Sequence, residues 1–177
     1  MKKLIRLLLL VLVIVGIIKA IPMLTEYLFP FNYNMYVEDA AERYGVDKNL
    51  VYAVIKAESN FDAKSESKRG AKGLMQIMDG TAAWCAHKIG LDSYDIFEPK
   101  DNIEIGVYYL SYLLDYYNGN EKSAISAYNA GYTNVDKWID DTEYSADGEN
   151  LDDIPFAETE KYVRKIKLYK RIYAWRE

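Results

Sequence analysis

Residues 48–59, Lys48-Asn49-Leu50-Val51-Tyr52-Ala53-Val54-Ile55-Lys56-Ala57-Glu58-Ser59, decide how this chain is read. Leu50, Val51, Val54 and Ile55 recur at spacings of three and four, the pattern of one apolar helix face. Glu58 falls four residues after Val54 and eight after Leu50, so a carboxyl group closes that face, while Asn49 and Lys56 are expected to point elsewhere. A carboxyl group partly withdrawn from water has a raised pKa. It then keeps its proton near neutrality and can give it to a leaving group. The plainer reading is a helix-end glutamate that reaches water or pairs with Lys or Arg.

Outward from this segment, helix follows helix. The spacing predicts helices over 35–44, 48–59, 80–89, 101–117, 121–129, 133–139 and 157–175, with a short helical turn at Leu74 to Met78. Gly45 and Gly90 read as helix stops. Asp47 and Asp79 read as N-caps, and Pro99 reads as part of a loop. Ile103, Val107, Leu110 and Leu114 mark a buried stripe. The acidic stretch 140–153 reads as an exposed loop. No strand-like alternation stands out, so the fold class is all-α.

The composition narrows the function. The chain has 177 residues, half of them apolar, enough for one domain with a real core. Its formal net charge is -5, which argues against nucleic acid as a partner. Four of its 22 basic residues, Lys2, Lys3, Arg6 and Lys19, precede the first acidic residue, Glu26. The remainder therefore carries 18 basic against 27 acidic residues, a net of about -9. A sugar ligand would have to be held by shape, stacking on some of the 17 tyrosines, and hydrogen bonds. Cys85 is the single cysteine, so no intrachain disulfide is possible, and it reads as a small core residue. His87 has no partner at metal-ligand spacing, so neither a metal nor a cofactor is called for.

Four short stretches carry chemistry: Glu58-Ser59-Asn60-Phe61; Gly70-Ala71-Lys72-Gly73-Leu74-Met75-Gln76-Ile77-Met78; Ala127-Tyr128-Asn129-Ala130-Gly131; and Pro155-Phe156-Ala157-Glu158-Thr159-Glu160-Lys161-Tyr162-Val163. In this order and at these spacings, the chain over about 35–175 resembles the soluble-type lytic transglycosylases, whose catalytic domain is lysozyme-like and related to goose-type lysozyme. The resemblance implies cleavage of peptidoglycan glycan strands between N-acetylmuramic acid and N-acetylglucosamine, ending in a 1,6-anhydro sugar. It implies Glu58 as the catalytic acid and then base. It also implies Ser67, Met75, Gln76, Tyr128, Asn129 and Tyr162 as the residues that hold the sugar, with Tyr162 directing its hydroxyl at the reacting ring. Met75 alone would read as core, and Ser67 alone as a loop serine.

Asp62 is a rival second carboxylate, read instead as a turn residue. Glu158 reads as structural, holding the last helix to the core. A hydrolase of the same fold, and a catalytically silent wall-binding protein, remain the alternatives.

The N-terminal segment sets the expected location. Residues 7–18 carry no charge and three basic residues precede them, so the body is expected outside the cytoplasmic membrane. Residues 1–24 read as a membrane anchor or a signal segment, 25–34 as a short tether, and 35–177 as the catalytic domain. Ile18-Lys19-Ala20 makes a poor signal-cleavage site, which favours an anchor over secretion. Nothing in the sequence calls for an oligomer, so a monomer is expected.

Overall fold

The computed structural model describes residues 2–177, so Met1, the first residue of the expected anchor, lies outside the described residues. Eight helices follow in order: α1 Lys2–Leu28, α2 Asn34–Tyr44, α3 Lys48–Glu58, α4 Asp79–Ile89, α5 Pro99–Tyr116, α6 Glu121–Ala130, α7 Tyr132–Ile139 and α8 Ala157–Arg176. No strand occurs among the described residues. Two isolated antiparallel bridges, Glu66 to Lys72 and Lys72 to Ile77, are the extended pairings.

The chain divides into a unit ending at Asn32 and a second unit, Tyr33–Glu177. In the first unit, α1 contains a 20-residue stretch, Leu9–Leu28, with mean hydropathy 2.2. It is long and apolar enough to cross a membrane. Leu12, Ile18, Met23 and Leu24 within it are exposed. The non-helical link is shorter than the expected 25–34. The helix runs on to Leu28, where Thr25 Oγ1 donates to the Pro22 carbonyl at 2.9 Å, and Pro30 follows soon after its end.

In the second unit, α3 is the central element. It packs against α8 and α2, and α5 ties α2, α4 and α6 together. Every residue from Asn49 to Ile55 is buried, so α3 is covered all round rather than along one stripe. Asn49 therefore does not point out, as its place off the apolar stripe suggested. The cause is α8, whose Tyr173 stacks on Tyr52 with ring centroids 5.2 Å apart on the flank of α3.

The local signals act as their chemistry requires. Asp47 caps α3 by accepting from the Asn49 N–H at 2.9 Å. Gly45 and Gly90 end α2 and α4 in the left-handed conformation. Two expectations change. Asp79 lies inside the first turn of α4 and not at its cap; its carboxylate takes the Lys72 ammonium at 2.8 Å. Pro99 opens α5 instead of sitting in the loop before it, because proline needs no N–H partner in the first turn.

The expected helical turn at 74–78 is also different. Residues 73–76 form a turn closed by two backbone bonds between Lys72 and Ile77, each 3.0 Å. Gly73 and Gln76 there have positive φ, 75° and 51°, which a helix does not accommodate.

Candidate active site

Glu58 is the last residue of α3. The chain reverses just after it through two consecutive left-handed residues, Asn60 at φ 52° and Phe61 at φ 67°. Neither is glycine, so this reversal costs on the order of 1–2 kcal/mol per residue. Burial of the Phe61 ring, 8% exposed, and a bond from Lys56 Nζ to Asn60 Oδ1 hold it in place. Ser59 Oγ donates to the Leu74 carbonyl at 2.8 Å, tying the end of α3 to the turn at 73–76.

That end of α3 faces a cleft of about 400 Å³. Its walls include Glu58, Ser67, Gln76, Met78, Tyr128 and Asn129. Glu58 is half-buried there. Burial pushes its carboxyl up to about 7, against the opposing pull of the Tyr162 hydroxyl and the Lys165 charge. Tyr162, 7% exposed on α8, donates to Glu58 Oε1 at 2.5 Å. Its hydroxyl is therefore turned to the carboxyl group, not presented to the cleft.

Lys165, one turn further along α8, donates to the Ala57 carbonyl at 3.2 Å. Its ammonium stands 5.9 Å from the centre of the Tyr162 ring. A cation at the C-terminal end of α3 is favourable both for its unpaired carbonyls and for the helix dipole. The spacing of three from Tyr162 puts Lys165 on the same helix face. That relation was present in the sequence but carried no apolar signal to mark it.

The turn that faces Glu58 is built around Asn102, fully buried on α5. Its Oδ1 accepts from the Met75 N–H at 2.8 Å. Its Nδ2 donates to the Lys72 and Ile96 carbonyls at 3.1 and 2.8 Å. Asn102 precedes the predicted apolar stripe, beside Asp101, so no local pattern marked it. Gln76, held by donation to the Ser65 and Gly73 carbonyls at 3.0 Å each, stands in the cleft wall with Ser67. Ser67 Oγ accepts from the Ala71 N–H at 3.0 Å.

Met75 departs from expectation. Its side chain is fully buried, packed where a Cβ on Gly106 would meet its Sδ at 2.4 Å. The positive φ of Gln76 turns the chain so that Met78, 45% exposed, lines the cleft instead.

The opposite wall comes from the end of α6. Tyr128 donates to the Met75 carbonyl at 2.9 Å, so the third motif and the second brace each other. Its ring lies 5.4 Å from that of Tyr109. Asn129 Oδ1 accepts from Thr159 Oγ1 at 2.8 Å. Buried Thr159, and not exposed Glu158, thus fastens the start of α8 to α6. One residue is about a third of a helical turn, enough to move a side chain from core to water. Asp62 is exposed and accepts from the Lys64 N–H at 2.9 Å, a turn role outside the cleft.

The raised carboxyl has a consequence for stability. Below its ordinary 4.5, Glu58 is protonated in both the folded and the unfolded chain. Between 4.5 and about 7 the unfolded chain ionises first, so folding is progressively disfavoured as pH rises. Above about 7 that loss is complete. Allowing for partial solvent exposure, it amounts to about 2 kcal/mol. Glu58→Gln is therefore expected to be more stable than the parent at pH 8 and equal to it at pH 4. Paired thermal melts at the two pH values measure this; equal melting temperatures at both would show that Glu58 is not held protonated.

Comparison with known proteins places the chain in a family. The chain is 33% identical over 153 residues to the soluble lytic murein transglycosylase of Salmonella typhimurium, across 84% of this chain and 24% of that protein. It is 37% identical over 111 residues to the membrane-bound lytic murein transglycosylase C of Edwardsiella ictaluri, across 56% of this chain and 31% of that one. Its structure is similar to an inactive Glu-to-Gln mutant of the lytic transglycosylase Slt from Pseudomonas aeruginosa. The TM-score is 0.75 and the identity 34%, over 83% of this chain and 24% of the other. The chain thus spans about a quarter of the length of the Salmonella and Pseudomonas proteins. Residues 35–151 match the transglycosylase SLT domain, two-thirds of the sequence and both walls of the cleft around Glu58, and the chain belongs to that family.

Proposed function

We propose that this protein is a lytic transglycosylase. It cleaves the β-1,4 bond between N-acetylmuramic acid and N-acetylglucosamine in peptidoglycan and leaves a 1,6-anhydro end. The observation that carries the reading is the carboxyl of Glu58, pushed up to about 7 at the edge of a polar, tyrosine-lined cleft. The similarity to a Pseudomonas enzyme that a Glu-to-Gln change inactivates supports a single decisive carboxyl group.

The steps follow from the donors present. Tyr162 occupies Oε1, so Oε2 carries the proton and gives it to the glycosidic oxygen as the bond to C1 breaks. Glycosidases that use two carboxylates place them about 5–10 Å apart. Among the described residues lining the cleft, Glu58 is the one carboxyl group. The substrate's own 2-acetamido oxygen therefore closes on C1, giving a cyclic oxazolinium ion. Glu58, now a carboxylate, removes the proton of the 6-hydroxyl as that oxygen attacks C1 and displaces the acetamido oxygen. The glutamate regains its proton, and the sugar ends as the 1,6-anhydro form without uptake of water. A carboxyl that serves as acid and then base works best near ambient pH.

In this reading α1 anchors the protein in the cytoplasmic membrane with Tyr33–Glu177 on the outer side, and the protein acts as a monomer. The mass of the products tests the reaction. Purified sacculi digested with the full chain are expected to yield muramyl ends one water lighter than reducing ends. Reducing ends as the main product would assign the protein as a hydrolase instead. Glycan binding without any product would make it a wall-binding protein.

A further inference from the structure

Glycan strands are uncharged along their sugar backbone. The ionised groups of peptidoglycan lie on its peptide stems, which end and branch in carboxylates. The cleft wall contains one cation, Arg69, among its described residues. Arg69 sits at the crest of a tight turn. Ser67 N–H donates to the Ala71 carbonyl and Gly70 N–H to the Ser67 carbonyl, both at 2.9 Å. Gly70, at φ 85°, supplies the conformation the turn needs. The backbone beneath Arg69 is therefore fixed beside Ser67 and across the cleft from Tyr128 and Asn129.

The guanidinium itself is exposed, and among the described residues it makes no ion pair or hydrogen bond. Arg43 pairs with Asp39 and Glu104, and Arg164 pairs with Glu160. In a chain carrying 27 acidic residues, Arg69 stands at the cleft wall as a cation that no ion pair engages. A net negative field repels an anionic polymer at long range. Recognition of a carboxylate then has to come from a local donor fork, which arginine offers in a planar, two-pronged geometry.

We propose that Arg69 binds a carboxylate of the muramyl peptide stem, so that the cleft reads the stem as well as the sugars. This inference rests on the cleavage reading above. It makes Arg69 a residue that sets substrate preference and gives it no part in the bond-breaking steps.

The test uses three forms of one glycan preparation: strands with native stems, strands whose stem carboxylates have been amidated, and strands stripped of stems. The readout is the ratio of kcat/KM on native to amidated strands, at low and at high salt. The full chain is expected to prefer native strands about tenfold, with the preference shrinking as salt rises. Arg69→Gln is expected to bring the ratio to about one. Arg69→Glu is expected to invert it, a result that a general weakening of the loop cannot produce. Arg69→Lys should retain part of the preference, since it keeps the charge and loses the fork. Thermal melts identify any variant that fails to fold, and the conservative lysine variant then carries the test.

A parent ratio of one overturns the proposal, as does a ratio that survives unchanged in Arg69→Glu. If the full chain cleaves none of the three forms, including stem-free strands, the cleavage reading falls and this inference with it. Cleavage of all three at equal rates overturns the stem contact alone.

Discussion

Glu58→Gln is expected to lower turnover of peptidoglycan about 10³-fold or more. Glutamine matches glutamate in shape and its amide oxygen still accepts from the Tyr162 hydroxyl, so the cleft keeps its form. What is lost is the transferable proton. One residue supplies both the acid and the base in this mechanism, and either role alone is worth about 10²–10⁴ in rate. The loss corresponds to at least ~4 kcal/mol in the barrier. The measurement is release of soluble muropeptides at pH 7, with a thermal melt of the same sample. The melt matters because the variant is expected to gain stability at that pH, which separates chemistry from folding. A variant that retains more than a tenth of parent turnover would remove Glu58 from the mechanism.

Gly73→Ala is expected to produce the largest loss of stability. A Cβ at this position would stand 2.2 Å from Asn102 Nδ2 and 2.6 Å from the Ile96 carbonyl oxygen. Asn102 cannot retreat, because its side chain satisfies three backbone groups in a fully buried place. The backbone of Gly73, at φ 75°, is also in the left-handed region that side chains disfavour. Overpacking, strain and a broken buried network together give about 3 kcal/mol or more. For a domain of this size that is roughly 6–12 °C in Tm. Gly70→Ala is the control. It has a similar φ of 85° with nothing within 4 Å of the new Cβ, so it should cost about 1 kcal/mol. Equal melting temperatures for the two variants would show that the Asn102 network does not constrain the turn.

The helices were legible because their signals are local and repeat. Gly45, Asp47 and Gly90 act within one turn, and the spacing of apolar residues on α5 needs no knowledge of what covers them. The unusual setting of Glu58 was legible for the same reason, as a carboxyl out of place on an apolar face, and the structure puts it at the edge of a cleft. The turn at 73–76 was not. Its five-residue neighbourhood, Leu74 to Met78, is too short to show any period, and the positive φ of Gln76 alone decides that Met75 goes to the core and Met78 to the cleft. Thr159 and Glu158 are adjacent, and only the roll of α8 on α6 separates the one that fastens the helix from the one in water. Lys165 and Asn102 act through contacts with segments 108 and about 30 residues away in sequence. Contacts of that separation leave no mark on local pattern.

The hydrogen bond between Tyr162 and Glu58 joins residues 104 apart along the chain. Its range has a consequence for when the proposed activity can arise. In the unfolded chain the Glu58 carboxyl stands in water and ionises in its ordinary range, so on the proposed mechanism it has no proton to give at neutral pH. A chain whose last helix is not yet made also lacks the Tyr162 hydroxyl that holds the carboxyl in the cleft. On the proposed mechanism, the acid is fully placed only when the last helix has packed against α3.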